Sequence, residues 1–226
     1  PWGLPGHGNS GAPGGVARYK MPRVAADLIE LLTRHDATPA HWLGYSMGGR
    51  LALYMAVRQS SVVRSLTLVS ATAGLANAAK RQARRAADEA LAARIERDGV
   101  ASFVAEWERN PLFAGLAGLP EEAWATLHEQ RLSNSPLGLA NSLRGMGAGA
   151  QPSLWSRLAA MTAPALLIAG QRDTKFVALN EGLAVSIPNA TLRLIPDAGH
   201  VVQMEQPEAF LAAVTDFLER LHENGR

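Results

Sequence analysis

The sequence predicts an α/β fold in which a mostly parallel sheet carries helices on both faces and is interrupted by an all-helical insertion. Two features support this prediction. Short β-rich runs alternate with helical segments near both ends of the chain, as they do in βαβ units. Between residues 74 and 150 the β-rich runs stop, and helical segments are separated by Gly, Pro and Asn. With 226 residues, 47% of them hydrophobic, the chain can bury one substantial core.

The first part of the predicted core is residues 1–73. It opens with a Gly- and Pro-rich stretch that predicts a loop. The spacing of the apolar residues then predicts a helix at 22–35, a strand at 41–45, a helix at 47–59 and a strand at 62–71. This order is a βαβ unit, which indicates parallel pairing of the two strands.

The second part of the predicted core is residues 151–226, and it follows a helical insertion, or lid, at residues 74–150. The lid contains four helical segments and no β-rich run. After the lid the alternation resumes with a helix at 153–161, a strand at 163–170, a helix within 177–186, a strand at 190–196 and a helix at 207–223.

The composition excludes several classes of protein. Lys and Arg number 22 against 20 Asp and Glu, so the net charge of +2 gives no basis for nucleic acid as the main partner. The absence of Cys excludes disulfides and thiolate sites and fits a reducing compartment, so we expect a cytoplasmic protein. No run of about 18 apolar residues predicts a membrane span. No His, Asp and Glu cluster has ligand spacing, so we expect no metal ion and no cofactor, and the oligomeric state is not predicted.

The beginning of the sequence reads as a loop already in progress. It lacks Met, and the stretch PWGLPGHGNSGAPGG follows no strand or helix. We therefore expect these residues to be a fragment of a longer protein.

The stretch Gly44-Tyr45-Ser46-Met47-Gly48 joins a predicted strand to a predicted helix. A Gly-x-Ser-x-Gly run in this context is a nucleophile elbow, in which a tight backbone turn projects the serine side chain outward. The helix that follows points its N-terminus at the same place, so the Met47 backbone N–H is a candidate donor to a developing oxyanion. Ser46 is the predicted nucleophile or proton-transfer group.

A serine needs a histidine to accept its proton, and the histidine needs a carboxylate to fix its tautomer. Asp173 follows one predicted strand directly and His200 follows the next, in the chain order Ser, Asp, His. Asp173 could instead merely cap the following helix. Asp197 is a second acidic candidate, but it lies on the same loop as His200 and fits a turn position better.

Beyond these motifs, several stretches resemble the MenH family, the 2-succinyl-6-hydroxy-2,4-cyclohexadiene-1-carboxylate synthases of menaquinone biosynthesis, within the α/β-hydrolase-fold superfamily. The resemblance covers most of the chain and rests on LPGHGNS, GYSMGGRLAL, AEWERNPLF, RLSNSPLGLANSLRGMGAGAQPSLW and GQRDTKF. It implies an α/β-hydrolase fold with a helical lid. The family's first strands, with the loop that supplies a second oxyanion N–H, have no counterpart before LPGHG, which implies that these N-terminal strands are absent.

The resemblance also implies a lyase reaction rather than hydrolysis. The family eliminates pyruvate from 2-succinyl-5-enolpyruvyl-6-hydroxy-3-cyclohexene-1-carboxylate, with the triad serine abstracting a ring proton. This small-molecule substrate carries several carboxylates, and the planar guanidinium group binds both oxygens of a carboxylate. Arg50, one helical turn after Ser46, is therefore an expected carboxylate ligand.

The family pattern implies further substrate contacts. Arg84, Arg131 and Lys175 would bind carboxylates, and Tyr45, Trp107, Phe113 and Gln151 would form the walls and a polar contact. Other interpretations stay open at this point. Arg81 or Arg85 could take the place of Arg84, a charged run is often only a solvated helix face, and the two lid aromatics could simply pack helices together.

Two other functions compete with the synthase. One is a serine carboxylesterase or related hydrolase that uses Ser46 as a covalent nucleophile. The other is an inactive binding module, because part of the family's oxyanion apparatus precedes the residues present here. The arginines expected in the lid argue against the first alternative, and the intact Ser46, Asp173 and His200 argue against the second.

Overall fold

The computed structural model describes residues 3–224, which form two compact units. A helical unit comprises the chain before Pro39 together with Gly74–Asn110 and Pro120–Trp155. A sheet unit comprises Pro39–Ala73, Pro111–Leu119 and the chain after Trp155. Each unit is therefore assembled from three separate stretches of sequence.

Four strands form the sheet, all parallel and paired in chain order: β1 (Ala40–Tyr45), β2 (Val63–Val69), β3 (Ala165–Gly170) and β4 (Ala190–Ile195). This arrangement confirms the predicted parallel sheet. The two central strands are the most buried, since every residue of β3 and all but Arg64 of β2 are shielded from solvent. Strand β1 lies at one edge of the sheet, and Leu43 on it is 51% exposed.

Both faces of the sheet are covered within the sheet unit. Side chains alternate along a strand, so Leu166 and Ile168 project from one face of β3 and Leu167 from the other, and all three are buried. The first face packs against the last helix through Phe217. The helices of this unit are α2 (Met47–Arg58), α6 (Thr174–Ser186), α7 (Val202–Glu205) and α8 (Pro207–Asn224), with 3₁₀ turns at Ser60–Val62 and Pro111–Gly118.

The helical unit contains a 3₁₀ turn at Val16–Tyr19 and the helices α1 (Met21–Arg34), α3 (Ala78–Trp107), α4 (Glu121–Leu132) and α5 (Pro136–Met146). Side-chain caps begin two of these helices. Asn77 accepts the Lys80 backbone N–H at 2.9 Å, and Ser135 accepts the Gly138 N–H at 3.2 Å. No helix within residues 3–224 combines the length and the apolar character needed to cross a membrane.

Two elements differ from the sequence-based predictions. Residues 153–161, predicted as an α-helix, contain only a 3₁₀ helix at Trp155–Ala160. The two helical segments predicted on either side of residue 99 run on as α3, although Gly99 takes φ 82° and ψ 172° and breaks the helical geometry there. Glycine adopts such positive φ values at little cost, so the break falls where the sequence permits it.

The two units also divide the chain differently from the predicted core and lid. Residues before Pro39, predicted to belong to the core, group with the helical unit, and Pro111–Leu119, predicted to belong to the lid, groups with the sheet unit. The change of unit between Ala73 and Gly74 coincides with a predicted boundary. The assignment of functions to these stretches stays a prediction.

Arg144 links two helices of the helical unit through a network of ion pairs. Its guanidinium group on α5 donates to Glu89 at 2.8–3.0 Å and to Glu96 at 2.5–2.9 Å, both on α3. These hydrogen bonds lower the pKa of Glu89 and the pKa of Glu96 and raise the pKa of Arg144. Because one planar group serves two carboxylates, this network has better geometry than an isolated surface pair.

Replacing Arg144 is expected to make the helical unit less stable and less sensitive to acid. Arg144→Met should cost about 1 kcal/mol of unfolding free energy at pH 7, the scale of well-formed exposed pairs. Carboxylates whose pKa is lowered in the folded state stabilise it above their unfolded pKa, and this stabilisation is lost as pH falls through the folded pKa. Thermal unfolding from pH 7 down to pH 3 should therefore show a difference between wild type and variant that shrinks with acid.

The control for this prediction is Arg109→Met, at an exposed arginine of the same unit. It removes the same charge without touching the network. A wild-type-to-variant gap that stays constant between pH 7 and pH 3, or equal losses for both variants, would contradict the role given to Arg144.

Candidate active site

Ser46 occupies a strained turn between β1 and α2. Its backbone has φ 47° and ψ −106°, outside the regions that residues with a side chain normally adopt. The turn is held because the Ser46 N–H donates to the Val69 carbonyl oxygen at 2.8 Å and the Arg50 N–H donates to the Ser46 carbonyl oxygen at 3.0 Å. The geometry is that of a nucleophile elbow, in which hydrogen bonds of the Ser46 N–H and the Ser46 carbonyl hold the strained backbone in place.

Close packing explains Gly44, the first glycine of the motif, and Gly49 just beyond the motif, but it does not explain Gly48, the second glycine of the motif. A Cβ atom at Gly44 would lie 2.5 Å from the backbone of Gly48, and one at Gly49 would lie 2.7 Å from the Ala71 Cβ. A Cβ atom at Gly48 would have no described atom outside its own helix turn within 4 Å. The tight approach of strand and helix therefore depends on Gly44 and Gly49.

Three side chains of the sheet unit form a hydrogen-bonded relay. His200 Nδ1 lies 2.7 Å from Asp173 Oδ2, and His200 Nε2 lies 3.3 Å from Ser46 Oγ. A carboxylate only accepts hydrogen bonds, so the imidazole donates through Nδ1 and presents the Nε2 lone pair to the serine hydroxyl. The arrangement can take a proton from Ser46, which is the chemistry of a catalytic triad.

The relay is shielded from solvent at its acidic end. His200 is 2% exposed and Asp173 is 9% exposed, while Ser46 is half-buried. The second carboxylate oxygen of Asp173 accepts the Phe176 N–H at 3.3 Å and so caps α6. The carboxylate thus performs both functions that the sequence left open, capping a helix and bonding the histidine.

Three aromatic rings surround the imidazole. Phe176 lies 4.6 Å from the His200 ring, Tyr45 lies 5.4 Å away, and Phe113 meets it edge-on at 6.1 Å, all measured between ring centroids. The three aromatic rings restrict the orientations that the His200 imidazole can take, and they exclude water from its sides. Phe113, predicted as a lid aromatic, lies in the sheet unit on the 3₁₀ turn at Pro111–Gly118.

The loop that carries His200 is held by the neighbouring strand ends. The Ser70 hydroxyl, fully buried, donates to the His200 carbonyl oxygen at 2.9 Å. The Arg172 N–H donates to the Ala198 carbonyl oxygen at 2.9 Å, and a Cβ atom at Gly170 would overlap the same stretch of backbone. The loops after β3 and β4 are therefore in direct backbone contact, which brings the acid and the histidine together.

The other predicted residues of the sheet unit lie close to the relay in sequence. Met47 is the first residue of α2, at the end where helix N–H groups point outward. Arg50 lies on the first turns of that helix and is half-buried. Lys175 is exposed, with its Nζ 5.4 Å from the centre of the Phe176 ring. Asp197 is exposed, takes φ 58° and pairs with Arg172, so it serves as a turn residue rather than as the triad acid.

The remaining predicted residues belong to the helical unit. Arg84 pairs with the buried Asp88 at 2.7 Å, and Arg131 pairs with Glu108 at 3.0 Å. The Trp107 ring packs against that of Phe103, with 5.3 Å between the ring centroids, and Gln151 is fully buried. The neighbours of Arg84 also bind within this unit, Arg81 to the Leu75 and Ala76 carbonyls and Arg85 to that of Gly149.

Sequence reasoning missed two residues that hold the histidine loop, Ser70 and Glu205. Glu205 accepts the Gly199 N–H at 2.7 Å and the Val201 N–H at 2.9 Å. A glutamate four residues after Val201, the residue directly before the short helix α7, is the one sequence signal that could have suggested this contact. Among residues 3–224, no three His, Asp or Glu side chains come together in a way that could hold a metal ion.

Comparison with known proteins places this geometry in a family. The model of the α/β hydrolase fold matches residues 4–207. A protein of Bacillus subtilis (strain 168), provisionally named 2-succinyl-6-hydroxy-2,4-cyclohexadiene-1-carboxylate synthase, is 42% identical over 213 residues, covering 94% of this chain and 78% of that protein. The chain belongs to the MenH family of the α/β hydrolase fold.

Two further MenH-family proteins match over nearly the whole chain. The synthase of the same name from Serratia proteamaculans (strain 568) is 33% identical over 95% of this chain and 80% of that protein. The solved structure of MenH from S. aureus matches with a TM-score of 0.91 at 34% identity, covering 97% of this chain and 82% of that chain. The predicted fold and the predicted family resemblance are both confirmed.

The two neighbouring glycines of α2 are expected to respond oppositely to alanine. Gly49→Ala should lower the free energy of unfolding by about 1–3 kcal/mol, because its methyl group overlaps Ala71 and the Gly44 carbonyl. Gly48→Ala meets open space and should leave stability unchanged or raise it by up to about 1 kcal/mol through helix propensity. Chemical denaturation of both variants measures the difference; equal effects would contradict this account of the elbow.

Proposed function

We propose that this protein is a 2-succinyl-6-hydroxy-2,4-cyclohexadiene-1-carboxylate synthase, a lyase that eliminates pyruvate from 2-succinyl-5-enolpyruvyl-6-hydroxy-3-cyclohexene-1-carboxylate. The observation that carries the proposal is the Ser46–His200–Asp173 relay in a chain that belongs to the MenH family. The named relatives support the reaction, and the relay supports a proton transfer as its first step.

The proposed chemistry needs a base at Ser46 rather than a covalent nucleophile. His200 Nε2, 3.3 Å from Ser46 Oγ, accepts the hydroxyl proton while Ser46 Oγ removes a proton from the substrate ring. The ring electrons then expel the enolpyruvyl oxygen with cleavage of its bond to the ring. The departing enolate takes up the proton held by His200 and becomes pyruvate. The ring proton stays on Ser46 Oγ, so the serine hydroxyl and the neutral imidazole are both restored and the cycle is complete.

Asp173 makes this transfer effective in two ways. Its Oδ2, 2.7 Å from Nδ1, keeps the imidazole in the tautomer that leaves Nε2 as an acceptor. Its negative charge, in a site shielded from solvent, then balances the imidazolium that forms during the reaction. The helix cap on Oδ1 fixes the carboxylate orientation for both tasks.

Arg50 is the proposed carboxylate ligand of the sheet unit. It follows Ser46 by four residues on α2, and its backbone N–H bonds the Ser46 carbonyl, so the two residues share one rigid turn. A guanidinium group at this position can bind a substrate carboxylate through two parallel hydrogen bonds. An ordinary ester substrate has no carboxylate that the Arg50 guanidinium group could bind.

The other assignments remain predictions. They comprise the Met47 N–H as an oxyanion donor, substrate contacts by Tyr45, Phe113 and Lys175 in the sheet unit, and contacts by Arg84, Arg131, Trp107 and Gln151 in the helical unit. The cytoplasmic location and a polycarboxylate small molecule as the only substrate class are predictions of the same kind. Contacts of several of these side chains within their own unit are compatible with both a structural and a substrate-binding role.

The decisive experiment supplies the enolpyruvyl substrate and measures pyruvate release. Ser46→Ala should lower kcat by about 10²- to 10⁴-fold, the usual contribution of a positioned proton-transfer group. Arg50→Ala should raise KM and lower kcat, removing a charge-assisted hydrogen bond worth about 1.5–3 kcal/mol. Arg50→Lys should recover only part of this loss, because an ammonium group keeps the charge without the planar fork.

The matched control is Arg58→Ala, which removes the same side chain from the exposed last turn of the same helix. Its kinetic constants should equal those of the wild type. Pyruvate release that survives Ser46→Ala, or equal effects of Arg50→Ala and Arg58→Ala, would refute the role assigned to the residue concerned.

The same preparation separates the synthase from its alternatives. A serine hydrolase would turn over a p-nitrophenyl ester far faster than it releases pyruvate and would accumulate an acyl-serine. An inactive binding module would bind the substrate without releasing pyruvate or cleaving an ester. Either result would overturn the proposed function.

A further inference from the structure

The backbone on both sides of His200 is held by one carboxylate that takes no part in the relay. Glu205 Oε2 accepts the Gly199 N–H at 2.7 Å, and Glu205 Oε1 accepts the Val201 N–H at 2.9 Å. The two N–H groups belong to the residues directly before and after the histidine. The Ser70 hydroxyl donates to the His200 carbonyl oxygen at 2.9 Å, so three side-chain contacts hold this peptide segment.

We propose that Glu205 is a positioning residue for His200 and that it sets the distance from Nε2 to Ser46 Oγ. The proposal rests on the proposed function to the extent that His200 acts as a proton acceptor there. A relay distance of 3.3 Å lies at the long end of a hydrogen bond, so a small rotation of the histidine backbone breaks it. Charge-assisted bonds to backbone N–H groups resist that rotation.

The chemistry of the contact requires a carboxylate. Both groups that face Glu205 are donors, so both of its oxygens must accept. A glutamine of the same shape has one oxygen and one NH₂ group, and that NH₂ group would face an N–H. The substitution Glu205→Gln therefore breaks half of the contact and leaves two donors opposed, while it changes the volume of the side chain hardly at all.

A second segment holds the Glu205 carboxylate in place. The 3₁₀ turn Pro111–Gly118 packs against α7, and a Cβ atom at Gly115 would overlap the Glu205 carboxyl group. The same turn carries Phe113, whose ring meets the His200 imidazole edge-on. This turn lies more than 80 residues before the histidine in the sequence. Its position thus affects the placement of His200 in two ways, through the imidazole ring and through the backbone that carries it.

A capping role alone is the competing explanation, because Glu205 also accepts the backbone N–H of Val201, the residue directly before α7, as the glutamate of a capping box does. The two explanations differ in what they predict. Loss of a cap lowers stability and leaves the relay of the folded molecules intact. Loss of a positioning contact lowers the rate of proton transfer in molecules that are fully folded.

The first experiment compares Glu205→Gln with Glu208→Gln, an exposed glutamate at the start of α8. Pyruvate release is measured well below the unfolding temperature of each variant. Glu205→Gln should lower kcat by about 10- to 100-fold with little change in KM, since a misplacement of about 1 Å can cost 10²-fold in rate. Glu208→Gln should match the wild type in both constants.

The second experiment disturbs the carboxylate without altering its chemistry. Gly115→Ala should lower kcat in the same way as Glu205→Gln, because the new methyl group displaces the carboxyl group. Gly118→Ala, in the same turn, places its methyl group where no described atom lies within 4 Å and should have no effect. In the background of Glu205→Ala, where space is vacated, Gly115→Ala should cost nothing further, so the two effects should not add.

A reaction independent of the natural substrate keeps this test separate from the proposed function. In labelling by an alkyl fluorophosphonate, Ser46 Oγ forms a bond to phosphorus, the phosphorus–fluorine bond breaks, fluoride leaves, and His200 accepts the hydroxyl proton. The rate of labelling should fall in Glu205→Gln and Gly115→Ala by the same factor as kcat. If the wild type is labelled but releases no pyruvate, the proposed function fails, and the Glu205 proposal is decided on labelling alone.

Each outcome counts for or against the proposal. Folded Glu205→Gln with wild-type kcat and labelling rate, or a loss of thermal stability as its only effect, would overturn it and leave Glu205 as a helix cap. Equal effects of Gly115→Ala and Gly118→Ala would overturn the part assigned to the 3₁₀ turn. A wild type that neither releases pyruvate nor is labelled would refute both proposals, because no active relay would then exist to be positioned.

Discussion

The hydrogen bond between His200 Nδ1 and Asp173 Oδ2 is the interaction on which the candidate site depends. It spans 2.7 Å in a place shielded from solvent, and it decides which imidazole nitrogen faces Ser46. Its two partners come from loops that follow neighbouring parallel strands, and those loops touch through their backbones. Sheet register and proton chemistry are therefore linked, because a shift of β3 against β4 would separate the acid from the histidine.

The surroundings of this bond divide between rigid backbone contacts and aromatic packing. Ser70 and Glu205 hold the main chain around His200, while Phe113, Tyr45 and Phe176 restrict its ring. Ser46 approaches from a separate strand, in a backbone conformation maintained by the close packing of Gly44 and Gly49. The reacting atoms thus belong to rigid elements, which is the condition for an electrostatic environment that needs no reorganisation during reaction.

Much of the fold and the relay could be predicted from the sequence, and the reason is geometric. Ser46, Asp173 and His200 each come directly after a β-rich run, or a few residues beyond it, and the carboxyl ends of parallel strands meet at one edge of a sheet. What could not be predicted depends on close contacts that leave no periodic pattern. Glu205 accepts backbone N–H groups, and Gly115 leaves the space that the Glu205 carboxyl group occupies. The turn around Phe113 groups with the sheet unit, although it lies among helical segments in the sequence. The 3₁₀ helix at Trp155–Ala160 is too short for apolar spacing to distinguish it from an α-helix.

The backbone of Ser46 and the cap made by Asp173 have opposite consequences for directed evolution. The strained φ of Ser46 stores energy of about 1–3 kcal/mol that a glycine at this place would release. Asp173, by contrast, secures the first turn of α6, so its loss weakens the scaffold as well as the chemistry. A screen that rewards heat resistance without assaying turnover would therefore tend to discard the serine while retaining the aspartate.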